Sequence, residues 1–162
     1  MDLPHKRDVL EKLVQHLVDL AAHATAAAKT TSAGATHAEA KPEHPKDTRA
    51  LEQSYLARGQ AMRVSELEEQ THFLRFMPLR TYGDSDPIGA GALVVITSDE
   101  DTRCLFLAPY GGGAELDVGG ARVFVVTPQS PIGARVLGRV FGDEIELKVR
   151  GATREYAITA VG

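Results

Sequence analysis

The chain has 162 residues, of which 43% are hydrophobic and 25% charged, and its formal net charge at neutral pH is −4. This length allows one or two small domains. The mild acidity argues against a protein that holds nucleic acid by bulk electrostatic attraction, because such proteins usually carry a basic excess. The lone Cys104 has no partner for an internal disulfide, which favours a reducing compartment.

The opening stretch, MDLPHKRDVLEKLVQHL, carries charges throughout and does not resemble a secretion signal. No stretch approaches the roughly 18 apolar residues that a bilayer-spanning helix needs. We therefore expect a cytoplasmic protein that does not use the membrane as a partner.

The first half of the chain predicts two long helices. Asp2 is a plausible N-cap of the first helix, with Pro4 in its first turn, and this helix is expected to fray around residues 30–34. The second helix is predicted to begin near Asp47 or Thr48. Its expected packing stripe consists of Leu51, Tyr55, Met62, Leu67 and Leu74. Two helices with one connection predict an antiparallel α-helical hairpin, packed as a coiled coil, over residues 1–77, with its tip at about 31–47.

Residues 78–88 are predicted to form a linker. Asp84 and Asp86 within it are candidate cation ligands, although a solvated turn is the preferred interpretation. A later glycine-rich segment, PYGGGAELDVGG, is reminiscent of a phosphate-binding loop. It lacks both GxGxxG and GxxxxGK[ST], so a nucleotide site is not expected there.

Residues 89–162 predict a β-rich domain. Five strands are expected, at residues 92–97, 103–108, 123–127, 144–149 and 155–160. Between the third and fourth strands, Ser130 is a predicted N-cap, Pro131 fits the first helical position and Gly138 is placed to end a short helix. The predicted fold class is α+β, a helical hairpin followed by an antiparallel β-sheet domain with one short helix.

The stretch from Val126 to Leu147 resembles the C-terminal domain of the Gre transcript-cleavage factors, GreA and GreB. Their pattern there is Ser-Pro-(Leu/Ile)-(Gly/Ala), then Leu-(Ile/Leu)-Gly, then Gly-Asp before a strand. The matching segments are Ser130-Pro131-Ile132-Gly133, Leu137-Gly138 and Gly142-Asp143. The segment LEQSYLARG (51–59) is similar to the helix that follows the tip of the hairpin in this family. The resemblance implies that the C-terminal domain is FKBP-like.

The resemblance implies a transcription elongation factor whose partner is bacterial RNA polymerase. The C-terminal domain would dock on the rim of the polymerase secondary channel through Ser130, Pro131 and Ile132, and the hairpin would enter the channel. The factor would be a monomer, would not itself be an enzyme and would have no cofactor of its own. Its tip would act with Mg²⁺ in the polymerase active site, near the RNA 3′ end, and would stimulate cleavage of backtracked RNA by the polymerase. DNA-binding is a further attribute that rests on the resemblance alone.

The carboxylates expected at the tip are Glu39, Glu43 and Asp47. Phosphodiester cleavage by two metal ions needs oxygen ligands and a positioned water, which such side chains supply. The family's tip commonly reads Asp-x-x-Glu-Asn-x-Glu-Tyr. In this chain Glu43 falls on the tip glutamate, whereas Ala40 falls on the aspartate and Asp47 on the aromatic residue.

Three alternatives remain open. Prolines and lysines lie among the tip carboxylates, which favours the alternative of a channel binder that modulates or inhibits transcription without stimulating cleavage. The tip carboxylates are also compatible with a solvated loop of mixed charge. Prolyl isomerase activity, found in other FKBP-like proteins, is less favoured because it needs an aromatic-lined pocket and the chain has no tryptophan.

Overall fold

A computed structural model describes residues 2–36 and 48–162 of the chain, and the side chains of these residues except 31–36. The predicted tip residues Glu39, Glu43 and Asp47 lie outside the described residues. The chain divides into two compact units, one of residues 15–73 and one of residues 1–14 with 74–162. The boundaries predicted at residues 77 and 88 stay predictions.

The described part of the chain is a helical hairpin followed by a six-stranded sheet with one short helix. In chain order the elements are α1 (Lys6–Thr36), α2 (Thr48–Arg75), β1 (Leu93–Thr97), β2 (Thr102–Leu107), β3 (Glu115–Val118), β4 (Ala121–Val126), α3 (Pro131–Val136), β5 (Glu144–Val149) and β6 (Ala152–Val161). The predicted fold class is confirmed in this outline. The specific likeness to FKBP domains stays a prediction.

Helix α1 begins at Lys6 and not at the predicted N-cap Asp2. The amide of Val9 donates to the carbonyl of His5 at 3.1 Å, so the regular helical hydrogen bonds start after Pro4. Proline disfavours the helical conformation of the residue before it, which excludes Leu3 from the first turn. The helix continues to Thr36, beyond the expected fraying point, whereas α2 begins at Thr48 as predicted.

Within residues 15–73, the shielded positions of each helix recur at alternating spacings of three and four residues, the pattern of a coiled coil. On α1 these positions are Leu17, Ala21, Ala24 and Ala28, and on α2 they are Gln53, Ala57, Gln60, Val64, Leu67 and Thr71. The predicted stripe is wrong for Leu51, Tyr55 and Met62, whose exposed fractions are 54%, 60% and 63%. Its other two members, Leu67 and Leu74, are buried.

The sheet has the strand order β3-β4-β2-β1-β6-β5. All neighbours are antiparallel except β2 and β4, which pair in parallel, so the prediction of a wholly antiparallel sheet is wrong at this pair. The reason is β3, a strand within the glycine-rich segment that was predicted to be a loop. Because β3 pairs with β4 at the sheet edge, β4 runs back alongside β2 in the same direction.

One face of the sheet carries the core beneath α3. Val94, Leu105, Val126 and Val136 are buried in this core, and Ile132 of α3 packs against it while remaining partly exposed. The six residues of α3 extend about 9 Å, whereas six strands spaced about 4.8 Å apart make a sheet about 24 Å wide. The helix is too short to cover the face, so part of the surface beside it stays open.

In the unit that holds the sheet, the start of α1 lies against the segment that follows α2. The Lys6 ammonium donates to the carbonyl of Arg80 and lies 4.7 Å from the ring centroid of Tyr82. The Arg80 guanidinium lies 4.3 Å from the same centroid. Burial, and then the nearby charge of Arg80, lower the pKa of Lys6 to about 8 from its ordinary value of 10.5.

The lowered pKa of Lys6 gives the stability of this unit a specific pH dependence. Between about pH 8 and 10.5 the unfolded chain binds the Lys6 proton while the folded chain has lost it, so the unfolding free energy should rise with pH in this range. A Lys6→Met variant lacks the titrating group. Urea unfolding at pH 8 and pH 10 should therefore show wild type gaining stability relative to Lys6→Met at the higher pH. If wild type and Lys6→Met differ in unfolding free energy by the same amount at pH 8 and pH 10, this expectation is contradicted.

Candidate partner-docking site

The first turn of α3 is fixed by Ser130. Its backbone is extended, with φ −70° and ψ 153°, and its Oγ accepts a hydrogen bond from the amide of Gly133 at 3.1 Å. The same hydroxyl donates to the carbonyl of Thr127 at 2.8 Å. The Ser130 side chain therefore holds the helix to the end of β4, and Pro131 follows at a position where its missing N–H costs nothing.

Gly133 is the second fixed point of this turn. A Cβ atom added there would overlap the carbonyl oxygen of Thr127, and it would lie 2.7 Å from the carbonyl carbon and 2.8 Å from Ser130 Oγ. The helix presses so closely on the end of β4 that only glycine fits. Gly138, with φ 78°, lies just beyond the end of α3, as predicted.

An open groove runs beside α3 on this face of the sheet. It consists of two depressions, of about 440 and 380 Å³, that share Arg103, Pro131, Ile132 and Lys148. Apolar side chains line much of it, namely Leu105, Ala114, Phe124, Val126, Ile132, Leu147 and Val149. We call this surface the Ile132 groove.

The rim of the Ile132 groove is basic. It carries four cationic side chains, those of Arg103, Arg135, Lys148 and Arg150, against the single carboxylate of Glu146. This local excess of positive charge contrasts with the net charge of the chain, which is −4. Arg150 adopts a left-handed φ of 51°, a conformation that glycine or asparagine enters at lower cost. The groove thus combines an apolar floor with a positive edge.

The predicted docking residues all reach this surface. Pro131 is exposed, Ile132 is half-buried in the groove, and Ser130 lines one depression although its hydroxyl is used within the fold. Their role toward a partner stays a prediction. Sequence reasoning missed the basic rim. Arg135 was detectable one helical turn after Ile132, but nothing in the sequence indicated that the other three cations lie nearby.

A second candidate surface lies on the hairpin. Leu51, Tyr55, Met62 and Phe73 fall within about 40° of one another around the axis of α2 at 3.6 residues per turn. All four are more than half exposed. This stripe faces away from the coiled-coil positions, and exposed apolar rows of this kind mark interaction surfaces. We call it the α2 stripe.

Asp86, considered in the sequence as a cation ligand, lies in a local turn, which was the preferred interpretation. In residues 2–36 and 48–162, no group of three or more histidine, cysteine, aspartate or glutamate side chains is placed to hold a metal ion. Asp86 instead accepts a hydrogen bond from the amide of Gly83 at 2.8 Å and lies 3.4 Å from the Arg80 guanidinium. Among the described helices, none is both long and apolar enough to cross a bilayer.

No protein-family model matches the chain. Among curated proteins, the chain is 32% identical over 100 residues to "Transcription elongation factor GreA" of Rhodospirillum rubrum, and 34% identical over 99 residues to the protein of the same name from Rhizobium leguminosarum bv. trifolii. Each alignment covers 61% of this chain, and the chain spans 60% of the length of each relative. The relatives are named as elongation factors and not as enzymes.

Solved structures give weaker matches. GreA factor homolog 1 (Gfh1) of Thermus thermophilus is 17% identical, with 94% of both chains covered and a TM-score of 0.38. A GreA/GreB factor from Nitrosomonas europaea is 21% identical, with 59% of this chain and 77% of that chain covered, and a TM-score of 0.36. We draw no conclusion about the site from these superpositions. The curated proteins confirm the resemblance to the Gre family, and over 61% of its length the chain is similar to GreA transcription elongation factors.

Proposed function

We propose that the chain is a cytoplasmic elongation factor that binds bacterial RNA polymerase at its secondary channel and stimulates cleavage of backtracked RNA by the polymerase. The Ile132 groove docks on the channel rim, and the hairpin enters the channel. The factor is not itself an enzyme and acts as a monomer. Direct DNA binding forms no part of this proposal, because the chain has an overall acidic charge.

The single observation that carries the docking role is the Ile132 groove. It offers an open apolar depression, in which Phe124, Ile132 and Val149 are partly exposed, with a cationic edge, and this suits an amphipathic protein surface of acidic character. Arg150 reaches the rim from the two-residue turn Arg150-Gly151 between β5 and β6, a hairpin turn that requires positive φ at both positions.

The hairpin supports the channel-entry role through its shape and its surface. The 28 residues of α2 extend about 42 Å at 1.5 Å per residue. Alanine side chains between the two helices let them pack closely, so the hairpin is narrow. A narrow hairpin can enter a passage that a globular domain cannot. The α2 stripe supplies apolar side chains for contact with the wall of such a passage.

At the tip, the proposed chemistry rests on Glu39, Glu43 and Asp47. A carboxylate delivered next to the polymerase active site supplies oxygen ligands for a loosely held second Mg²⁺ and orients the attacking water. The ion belongs to the polymerase and its RNA substrate. Glu43, which falls on the family's tip glutamate, is the principal candidate among the three.

The activity is tested by stalling a bacterial RNA polymerase in a backtracked state, adding the chain and following the RNA 3′ end. The proposal expects shortened RNA at a rate above that of the polymerase alone. The intervening Lys41 and Lys46 offset negative charge at the tip and favour a second candidate function, a channel binder without cleavage. That candidate is indicated if RNA length is unchanged and cleavage stimulated by an added GreA factor becomes slower.

Ile132→Asp is expected to weaken binding to RNA polymerase by at least about tenfold, because it removes an apolar contact and places a carboxylate beside the rim cations that an acidic partner surface would use. Affinity is measured with a fluorescently labelled chain at fixed salt, after circular dichroism confirms that the variant is folded. Leu137→Asp is the matched control, since Leu137 is 45% exposed and does not line the groove. Equal losses of affinity in the two variants would contradict the docking role of the groove.

A further inference from the structure

Arg103 occupies a distinctive place in the Ile132 groove. Strand β2 directs Arg103, Leu105 and Leu107 toward the same face of the sheet, because alternate side chains of a strand share a face. Leu105 and Leu107 are buried in the core, whereas Arg103 lies at the open end of the row and lines both depressions. The side chain is only 26% exposed, so its guanidinium is partly withdrawn from water.

The turn before β2 braces this guanidinium. Arg103 Nε donates to Asp101 Oδ2 at 2.8 Å, and Ser98 Oγ donates to Asp101 Oδ1 at 3.1 Å. The amide of Ser98 also donates to the carbonyl of Asp101 at 2.9 Å, which closes the turn. Burial opposes ionisation of Asp101, but its hydrogen bonds, led by the one from Arg103, outweigh this and hold its pKa below the ordinary value. Asp101 is therefore a charged and fixed anchor.

Tyr156 supports the guanidinium from a second direction. The Arg103 Cζ lies 5.6 Å from the centroid of the Tyr156 ring, and Tyr156 is only 1% exposed in the core. In the described part of the chain, no protein group accepts a hydrogen bond from the two terminal nitrogens of Arg103. The Arg103 guanidinium is thus held in place at Nε. Its two terminal nitrogens remain available as hydrogen-bond donors in the groove.

A preorganised guanidinium fork recognises planar oxyanions by two parallel hydrogen bonds, which a lysine ammonium does not reproduce. The walls around this fork are apolar, with Leu105, Phe124 and Ile132 nearby. A nucleic-acid backbone carries a negative charge at every phosphate, and it gains little binding free energy from contact with apolar side chains. A protein segment with apolar side chains around one aspartate or glutamate fits both features.

We infer that the Ile132 groove selects a partner segment by one buried carboxylate, with Arg103 as the specificity-determining residue and Asp101 as the residue that positions it. This inference rests on the proposed function for the identity of the partner, which is RNA polymerase. It goes further by assigning the chemistry of the contact: an acidic side chain of the polymerase, flanked by apolar ones.

The first test compares three variants in the labelled-chain binding assay with RNA polymerase. Arg103→Gln should weaken binding about thirtyfold, the range of a binding hot spot. Arg103→Lys keeps the charge but lacks the planar guanidinium, and it should weaken binding about tenfold. Arg122→Gln is the control, because it removes the same charge from the same sheet but outside the two depressions. If Arg103→Lys binds like wild type, or if Arg122→Gln loses as much as Arg103→Gln, the inference is wrong.

The second test concerns the positioning role of Asp101. Asp101→Asn should weaken polymerase binding severalfold in the wild-type background and add little in the Arg103→Gln background. A purely structural effect would instead add in both backgrounds, because double-mutant cycles separate coupled from independent residues. Additive losses would therefore overturn the positioning role.

The outcomes separate the inference from the proposed function. Absence of polymerase binding by the wild-type chain overturns both. Polymerase binding that is insensitive to Arg103 variants overturns only the carboxylate inference and leaves the proposed function standing. If a duplex or single-stranded oligonucleotide binds the wild-type chain and this binding falls in Arg103→Gln, the occupant is nucleic acid and the inference is wrong.

Discussion

Gly133→Ala is expected to destabilise the β-sheet unit by about 3 kcal/mol. The added methyl group would overlap the carbonyl oxygen of Thr127, a backbone atom that has no rotamer by which to move away. Relief would require α3 to lift from the end of β4, which would break the hydrogen bonds of Ser130 to Gly133 and Thr127. The intrinsic preference of helices for alanine, about 1 kcal/mol over glycine, is too small to compensate.

The measurement is urea unfolding followed by far-ultraviolet circular dichroism. Gly83→Ala is the matched control, because the same methyl group there meets Asp86 Oδ2 at an ordinary 3.6 Å. Its unfolding free energy should lie within about 1 kcal/mol of wild type. If Gly133→Ala is as stable as Gly83→Ala, the close packing of α3 on β4 has been misassigned.

Removing the tip carboxylates together, in a Glu39→Ala, Glu43→Ala, Asp47→Ala variant, is expected to reduce RNA cleavage in the backtracked complex to the rate of polymerase alone. Oxygen ligands for the second metal ion would then be missing at the point of reaction. Binding to polymerase should remain within about threefold of wild type, since the groove contacts are unchanged. The loss should therefore appear in the maximal cleavage rate and not in the concentration of factor that gives half of it.

A second triple variant controls for the change in charge. Glu66→Ala, Glu68→Ala and Glu69→Ala remove three exposed carboxylates from the same hairpin, within α2. Cleavage by this variant should stay near the wild-type level. Cleavage that survives in the tip variant, or that falls equally in both variants, would show that the tip carboxylates have been wrongly assigned.

The sequence was most informative where local chemistry determines structure. Ser130, Pro131 and Gly138 mark a helix start and end by their capping chemistry alone, and α3 lies where they predict it. The role of Gly133 was not apparent, because the contact that requires glycine is made with Thr127 in three dimensions. A motif that first served to indicate the family is thus also a packing constraint.

The hairpin shows where a hydrophobic pattern misleads. Leu51, Tyr55 and Met62 are large apolar side chains at helical spacing in the first part of α2, so periodicity selected them as the packing face. The structure packs the face with Gln53, Ala57, Gln60 and Val64 instead. Small and polar residues at the seam let two long helices lie together and leave the apolar side chains outside, on the α2 stripe.

The sheet and the groove depended on contacts between distant residues. The four residues of β3 lie between glycines and give too short an alternation to be recognised as a strand. Because β3 was not predicted, the parallel pairing of β2 with β4 was not predicted either. The cations of the groove come from β2, α3, β5 and the turn after β5, and only the three-dimensional arrangement brings them around Ile132.

The most direct test of the central claim is a competition experiment on RNA polymerase. A labelled chain is titrated with a bacterial RNA polymerase, and an unlabelled GreA factor is then added to the complex. The account predicts saturable binding that GreA displaces and that Ile132→Asp weakens at least about tenfold. Absence of saturable binding at polymerase concentrations that saturate GreA, or binding that GreA does not displace, would contradict it.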